Sequence, residues 1–239
     1  MQTQGVMTAR GQLEAQVFHA YRRADWRWRV RNAIRPVYWR GWLGHSIAPA
    51  FSKAFGVLTI TPKLEVRVRR LSDEQRAYYE SLRDSGQREA ALAYARSVGV
   101  WQDYGTVAYR VITEAGVAFV VDDWDNDAKD ITNLHFHGCG TGVAAEAATD
   151  TALGTESTTA LNPDNTRATG TESQPAANQL RTVGTLTFDA TAAVTEHGIF
   201  DQAATGGGSL WDRSVFSAIN VVSGDSIQFT YTASLTSGG

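Results

Sequence analysis

The feature that most constrains the fold is an alternation of apolar with polar or small residues within residues 183–235. A period of two is typical of strands that have one buried and one solvent-facing side. The alternating apolar positions are Leu186, Phe188 and Ala190, then Phe216 and Ala218, then Ile227, Phe229 and Tyr231. Of these, we predict that Leu186, Phe188, Phe216, Ile227 and Phe229 point into the core.

Short breaks between these runs carry residues that favour turns. Residues 206–208 are three glycines, which adopt positive φ without steric cost, and residues 223–225 read Ser-Gly-Asp. Breaks this short favour antiparallel hairpins over βαβ units. The sequence therefore predicts a mainly β protein with a small helical portion, an α+β fold. Its C-terminal part is predicted to be an antiparallel β-sandwich, with a jelly roll as one candidate topology.

Two long strings in this region resemble a known group of proteins. They are TEHGIFDQA at 195–203 and LWDRSVFSAINVVSGDSIQFTYT at 210–232, and a weaker similarity extends through HGCGTGVAAEAATDTAL at 137–153. These strings are similar to the C-terminal module of tailed-bacteriophage virion proteins that are described as head decoration, head fibre or tail fibre proteins. The resemblance covers about the C-terminal half of the chain, and it implies a structural role in a virion.

Charge divides the chain into two unequal parts. Residues 1–100 hold 17 Lys and Arg against 8 Asp and Glu, whereas residues 101–239 hold 5 against 17. Such asymmetry indicates either that the basic part docks on an acidic surface or nucleic acid, or that subunits of a homo-oligomer neutralise one another. We divide the chain into a basic, aromatic-rich docking region, residues 1–104, and a β-rich virion module, residues 105–239.

The basic part contains one unusual segment, residues 21–42, with seven arginines, one acid and four of the chain's seven tryptophans. Arginine interleaved with aromatic residues suits both nucleic acid and protein interfaces. Because no nucleic-acid-binding motif accompanies it, we favour protein contact. The predicted subunit-docking residues are Trp26, Arg27, Trp28, Arg29, Arg31, Arg35, Trp39, Arg40 and Trp42.

Apolar residues recur at helical spacing mainly before residue 100. A helix is predicted within residues 9–34, and one or two strands within 57–71. Ser72 and Gln75 fit a capping box, and Gly86 divides a helical pair across 73–98. We predict that this pair packs through Tyr78, Tyr79, Leu82, Leu92 and Tyr94.

The middle of the chain is predicted to be β-rich. Runs at 106–113 and 116–121 flank residues 114–116, a hairpin signal, and residues 131–137 could add a strand. From 138 to 178 the chain is rich in Gly, Ala, Thr, Asn and Glu, which predicts an extended, loop-rich excursion.

Two patterns raise the question of a metal site. His135 and His137 would share one face of a strand and Cys139 could extend the row, but Gly138 and Gly140 argue for a turn there. Asp123, Asp125 and Asp127 imitate the first half of a calcium loop, yet Ala128 and Leu134 stand where glycine and glutamate belong. We predict structural roles for both groups, with a turn in which the aspartates cap backbone amides.

No catalytic grouping stands out. Ser214, His197 and Asp212 could be nominated as a hydrolase triad, but the Gly-x-Ser-x-Gly elbow is missing, and HGCGTG at 137–142 lacks the Gly-Lys-Ser/Thr ending of a phosphate loop. For Glu196 and His197 we predict structural hydrogen bonds in a turn or between strands.

These features together predict a virion structural protein, not an enzyme, with no cofactor and no metal. We expect a capsid decoration (cement) protein on the outer head surface, a homotrimer that contacts the major capsid protein or neighbouring virion subunits. The chain has no run that resembles a secretory signal or a membrane span, so we expect assembly in the host cytoplasm. Two alternatives stay open: a neck, collar or tail-fibre attachment protein, and a host-surface carbohydrate-binding module.

Overall fold

A computed structural model describes residues 50, 52–54, 56, 58–109, 111–125, 129–157 and 166–237. The strands are β1 (Thr59–Arg70), β2 (Val100–Tyr109), β3 (Val111–Ile112), β4 (Phe136–Gly140), β5 (Ala168–Thr169), β6 (Thr171–Ala176), β7 (Gln179–Thr187), β8 (Ala192–Phe200), β9 (Leu210–Val221) and β10 (Ser226–Thr236). The helices are α1 (Asp73–Asp84), α2 (Arg88–Val98) and α3 (Glu114–Asp125), with a 3-10 turn at Ile131–Asn133.

The strands form two five-stranded sheets in which neighbouring strands pair antiparallel. Sheet A has the order β2-β1-β10-β7-β6, and sheet B has the order β3-β9-β8-β4-β5. The predicted mainly β, α+β fold is confirmed. The predicted boundary at 104/105 falls within β2, and β1 pairs with β10, so residues on both sides of that boundary share sheet A.

The main core lies between the two sheets. All five predicted core residues lie in one buried cluster, together with Leu64, Val66 and Val68 of β1. Ala218, which is named in the alternation but not among the predicted core residues, is exposed. The cause is a bulge: Val194 pairs with Ile219 but Glu196 pairs with Val215, and the extra β9 residues leave the strand register.

Only part of the predicted hairpin arrangement is found. The β6–β7 and β8–β9 connections are hairpins within one sheet. Residues 223–225 instead join β9 of sheet B to β10 of sheet A, so this break crosses the sandwich and is not a hairpin. Gly224 has φ +84°, and a Cβ there would lie 2.7 Å from the Leu71 side chain, so both backbone and packing favour glycine.

The helical pair α1–α2 confirms most of its prediction. Ser72 and Gln75 form the capping box, and Gly86 between the helices has φ +79°. Tyr79 is buried, and Leu82, Leu92 and Tyr94 pack against it at intermediate exposure. Tyr78 is 52% exposed but also packs as predicted, with its ring edge-on to that of Tyr94 and the ring centroids 4.7 Å apart.

The predicted hairpin at residues 114–116 is wrong, because residues 114–125 form helix α3. The Thr113 hydroxyl accepts a hydrogen bond from the Gly116 N–H at 2.9 Å, and its carbonyl accepts from Val117, which starts the helix. A Cβ on Gly116 would lie 2.6 Å from the Trp211 carbonyl, so this glycine lets α3 approach β9 closely. Packing against sheet B therefore overrides the β propensity of the valines.

The stretch around residues 131–140 differs from its prediction in two ways. Residues 131–133 form the 3-10 turn, and strand β4 begins only at Phe136. Gly138 and Gly140 do not make a turn but continue β4. Glycine is required at position 140 because a Cβ there would lie 2.1 Å from the Thr155 carbonyl oxygen. The excursion that follows is loop-rich as expected at 141–157, with the short strands β5 and β6 after it.

Several predictions lie outside the described residues. They are the helix within 9–34, the docking segment 21–42 with all its named residues, and Asp127. Within the described part, none of the helices is long and apolar enough to span a membrane.

Candidate functional site

Strand β8 is buried on both sides from residue 194 to residue 200 and carries Glu196, a charged residue of the resemblance strings. Its Glu196 carboxylate faces the loop of residues 141–157 and accepts hydrogen bonds from the N–H groups of Gly142, Gly154 and Thr155 at 2.9, 2.8 and 2.7 Å. Cβ atoms on Gly140 or Gly142 would lie within 2.6 Å of Glu196, so only glycine lets the chain close around the carboxylate. We call this arrangement the Glu196 clasp.

Arg213 of β9 completes the clasp. Its guanidinium donates to Glu196 at 2.8 and 3.0 Å, to Asp150 at 2.9 Å and to the Ala144 carbonyl at 3.2 Å. Burial alone would raise the pKa of Glu196, but the backbone N–H groups and Arg213 outweigh it and lower that pKa. Likewise burial works to lower the pKa of Arg213, yet the bonds to Asp150 and Glu196 raise it. Both groups are therefore ionised and mutually satisfied.

A second ion pair fastens the next part of the same loop. Arg167 donates to Glu156 at 2.6 and 3.1 Å, and its guanidinium lies 3.3 Å from the ring centroid of Phe200. It also donates to the carbonyls of Gln202 and Gly207. These contacts hold the start of β5 and the glycine-rich β8–β9 turn together on the outer side of sheet B.

The inner side of β8 carries a polar pair in an otherwise apolar core. His197 Nε2 lies 3.0 Å from Nδ1 of His137 on β4, and His137 Nε2 lies 3.1 Å from the Thr182 hydroxyl on β7. The His197 ring packs 4.2 Å from that of Phe229 on β10. Because Thr182 and Phe229 belong to sheet A, the histidines connect the two sheets.

The nominated triad residues come together, but inside the protein. His197 and Ser214 are direct cross-strand partners, and Asp212 lies two residues along β9 opposite Ile199. All three residues are 0% exposed, so a substrate could not reach them in this conformation. The structural hydrogen bonds predicted for Glu196 and His197 are found, since Glu196 accepts from the 141–157 loop and His197 bonds His137 on the neighbouring strand.

The metal patterns are not assembled into ligand sets. His135 lies before β4, near the Thr132 carbonyl and 3.7 Å from Glu172, while His137 and Cys139 are buried in the strand. Burial raises the pKa of the Cys139 thiol, which makes it unreactive. Asp123 lies in α3 and accepts from the Ile131 N–H at 3.3 Å, a capping contact made from a helix instead of the expected turn. Among the described residues no group of three or more His, Cys, Asp or Glu could hold a metal ion.

Two exposed surfaces stand out in the described part of the chain. The outer face of sheet A is polar, with Arg67 bonded to Gln228 at 2.7 Å and stacked 4.3 Å from the ring of Trp101. On sheet B, helix α3 exposes an apolar stripe formed by Val117, Val121 and Trp124. Sequence reasoning missed this stripe because it assigned residues 116–121 to a strand.

Sequence reasoning also missed the Glu196 clasp, for which a signal existed. Glu196, Asp212 and Arg213 interrupt apolar strand patterns, and a charge within a strand that is buried on both faces requires a partner. Comparison with known proteins adds no assignment to these sites. No protein-family model matches the chain, and no curated protein or solved structure matches it significantly.

Proposed function

We propose that the protein is a structural component of a tailed-phage virion, a capsid decoration (cement) protein bound to the outer head surface. The observation that carries this proposal is that the strings at 195–203 and 210–232 coincide with β8, β9 and β10. These strands lie inside both sheets, so the residues that resemble the phage modules are the framework of the fold.

The charged residues of these strings support a framework role. Glu196 and Arg213 form the clasp, and Asp225 accepts from Arg70 at 2.7 Å and Arg76 at 3.5 Å, which joins α1 to the sandwich. Thus the strings supply strand pairing, loop anchoring and helix attachment. A sandwich with many internal ties suits a protein that must stay folded on the outside of a particle.

Attachment is proposed to use the segment 21–42, with its tryptophans as apolar anchors and its arginines paired to acids on the major capsid protein or neighbouring virion subunits. We further propose a homotrimer. Attachment at the neck, collar or tail fibre would use the same anchors and differs only in the partner.

Particles carrying Trp26→Ala/Trp28→Ala test the attachment. Removing desolvated aromatic anchors can cost about 2 kcal/mol or more each, whereas exposed ion pairs contribute about 0 to 1 kcal/mol. We expect the double variant to be lost from purified particles and wild-type protein to survive a high-salt wash. Tyr78→Ala/Tyr104→Ala, which changes two exposed aromatic residues of the described part, is the matched control and should be retained.

The opposite pattern, retention of the double variant and stripping by salt alone, would contradict aromatic anchoring and favour electrostatic binding to nucleic acid.

A glycan array tests the remaining alternative, a host-surface carbohydrate-binding module. Binding by the purified protein that is lost in Trp101→Ala would favour a carbohydrate-binding module, since Trp101 lies on the outer face of sheet A.

A further inference from the structure

Helix α3 has an exposed face of unusual composition. Val117, Val121 and Trp124 recur at helical spacing on its outer side and are 54%, 53% and 80% exposed. The opposite side, including Phe119, packs against sheet B, so the stripe is not the core face of the helix. A continuous apolar stripe beside charged residues is typical of a surface that binds a partner.

Acidic residues border this stripe at the C-terminal end of α3. Asp122 and Asp125 are exposed beside Val121 and Trp124, and the last turn of α3 contains no basic residue. Carboxylates at a helix C-terminus are disfavoured by the helix dipole, so a cationic partner would stabilise this end. Neither aspartate forms an ion pair within the described part of the chain.

The sequence contains a segment of complementary chemistry, and the chain enters the sandwich close to α3. Residues 21–42 hold seven arginines and four tryptophans. Ile60, at the start of β1, packs in the same cluster as Phe119 and Val120 of α3. Ser52 is buried and hydrogen-bonded to Thr59, and the ten residues from Trp42 to Ser52 could span at most roughly 30 Å when extended.

From these observations we infer that the Val117–Val121–Trp124 face of α3 binds the arginine- and tryptophan-rich segment 21–42 of this chain. Tryptophans cover the apolar stripe, and arginines pair with Asp122 and Asp125. The contact accounts for the opposite charges of the two parts of the chain. It describes the free protein: the proposed attachment to a particle uses the same tryptophans and arginines, so the segment leaves α3 when the protein attaches.

Cross-linking of the full chain tests this inference. A flexible bis-maleimide would be applied to Val117→Cys combined with Ala33→Cys, and to Val143→Cys combined with Ala33→Cys as the control. Val143 is 77% exposed and lies on the 141–157 loop, outside helix α3. The buried Cys139 is common to both proteins. We expect the Val117 pair to give the dominant product as a monomer band, whereas a dominant dimer band would assign the stripe to the segment of a second copy and overturn the contact within one chain.

Charge and anchor variants then separate specific binding from chance proximity. Asp122→Lys/Asp125→Lys or Trp124→Ser should lower the yield at least about fivefold, the effect of losing about 1 kcal/mol of binding. Asp84→Lys/Glu89→Lys on α1 and α2 makes the same charge change elsewhere and should leave the yield unchanged. Unfolding midpoints measured on each variant exclude loss of fold as the cause.

Hydrogen exchange keeps the inference testable if one cysteine position is poorly placed. Amides of residues 114–125 should exchange faster in full-length Arg27→Glu/Arg29→Glu/Arg31→Glu than in the wild type, while those of α1 stay the same. Unchanged exchange in α3 would overturn the inference. Efficient dimerisation of Val117→Cys alone would also overturn it, since α3 of a second copy would then cover the stripe.

Discussion

The two sheets of the sandwich bury their strands in different ways. In sheet A, β1 and β10 bury one side and present a polar face in which Arg67 bonds Gln228. In sheet B, β8 is buried from residue 194 to residue 200, because α3 and the 141–157 loop cover the outer side. Sheet A therefore relies mainly on alternation, although β1 buries Arg69 with a hydrogen bond to Ser226 at 2.7 Å, whereas sheet B must satisfy several charges in its interior.

The difference teaches how a small-residue loop can cover a sheet. The loop offers few large apolar side chains to pack, so Glu196 and Arg213 hold it through backbone N–H and carbonyl groups, and Arg167 holds it through the Glu156 carboxylate. Buried charges are tolerated when every partner is supplied, and they are costly when one partner is lost. The variants below exploit this asymmetry.

The largest effect should come from the shared core. Phe229 on β10 is fully buried between the sheets, so Phe229→Ala should lower the free energy of unfolding by about 3 to 5 kcal/mol. Thr230→Ala on the outer side of the same strand should cost less than about 1 kcal/mol. Urea unfolding of both variants measures the contrast. Similar costs at the two positions would contradict the assignment of β10 to one buried and one wet face.

The clasp should give the next largest effect. Glu196→Gln keeps the shape but removes the charge that Arg213 and the N–H groups need, at a cost of about 2 to 3 kcal/mol. Glu65→Gln in sheet A removes a partly exposed carboxylate that pairs with Lys63, and it should lower the free energy of unfolding by about 0 to 1 kcal/mol. Equal costs in chemical unfolding would show that burial does not distinguish the two sheets.

Acid should weaken the clasp in a defined direction. The pKa of Glu196 is lower in the folded state than the ordinary value of about 4.3. Its contribution to stability is therefore complete above that value and is lost as pH falls through the folded pKa. The stability difference between wild type and Glu196→Gln should narrow as pH drops below about 4. A difference that stays constant or widens in pH-dependent unfolding would refute the pKa direction.

The smallest effect should come from the exposed stripe. Trp124 is 80% exposed, so in the full chain Trp124→Ser should lower the free energy of unfolding only by what its contact with segment 21–42 contributes, about 1 kcal/mol. Urea unfolding of the full chain provides the measurement, and a loss of more than about 2 kcal/mol would mean that the tryptophan belongs to the core.

Sheet A and the helical pair could be largely predicted from sequence, since alternation and capping are local signals. Ile227, Phe229 and the Ser72 box are examples. Helix α3 could not, because its valines favour a strand and only packing of Gly116 against Trp211 decides otherwise. The Glu196 clasp was only partly visible: the charges of Glu196 and Arg213 within buried strands signal a partner, but the backbone N–H groups of residues 142, 154 and 155 carry no side-chain signal.

Cryo-electron microscopy of the intact particle tests the central proposal most directly. The account predicts density for the two-sheet sandwich on the outer head surface, with threefold symmetry and with residues 21–42 at the contact with the shell or a neighbouring subunit. Particles that are complete without this chain, or that contain it in no structural position, would contradict the proposed function.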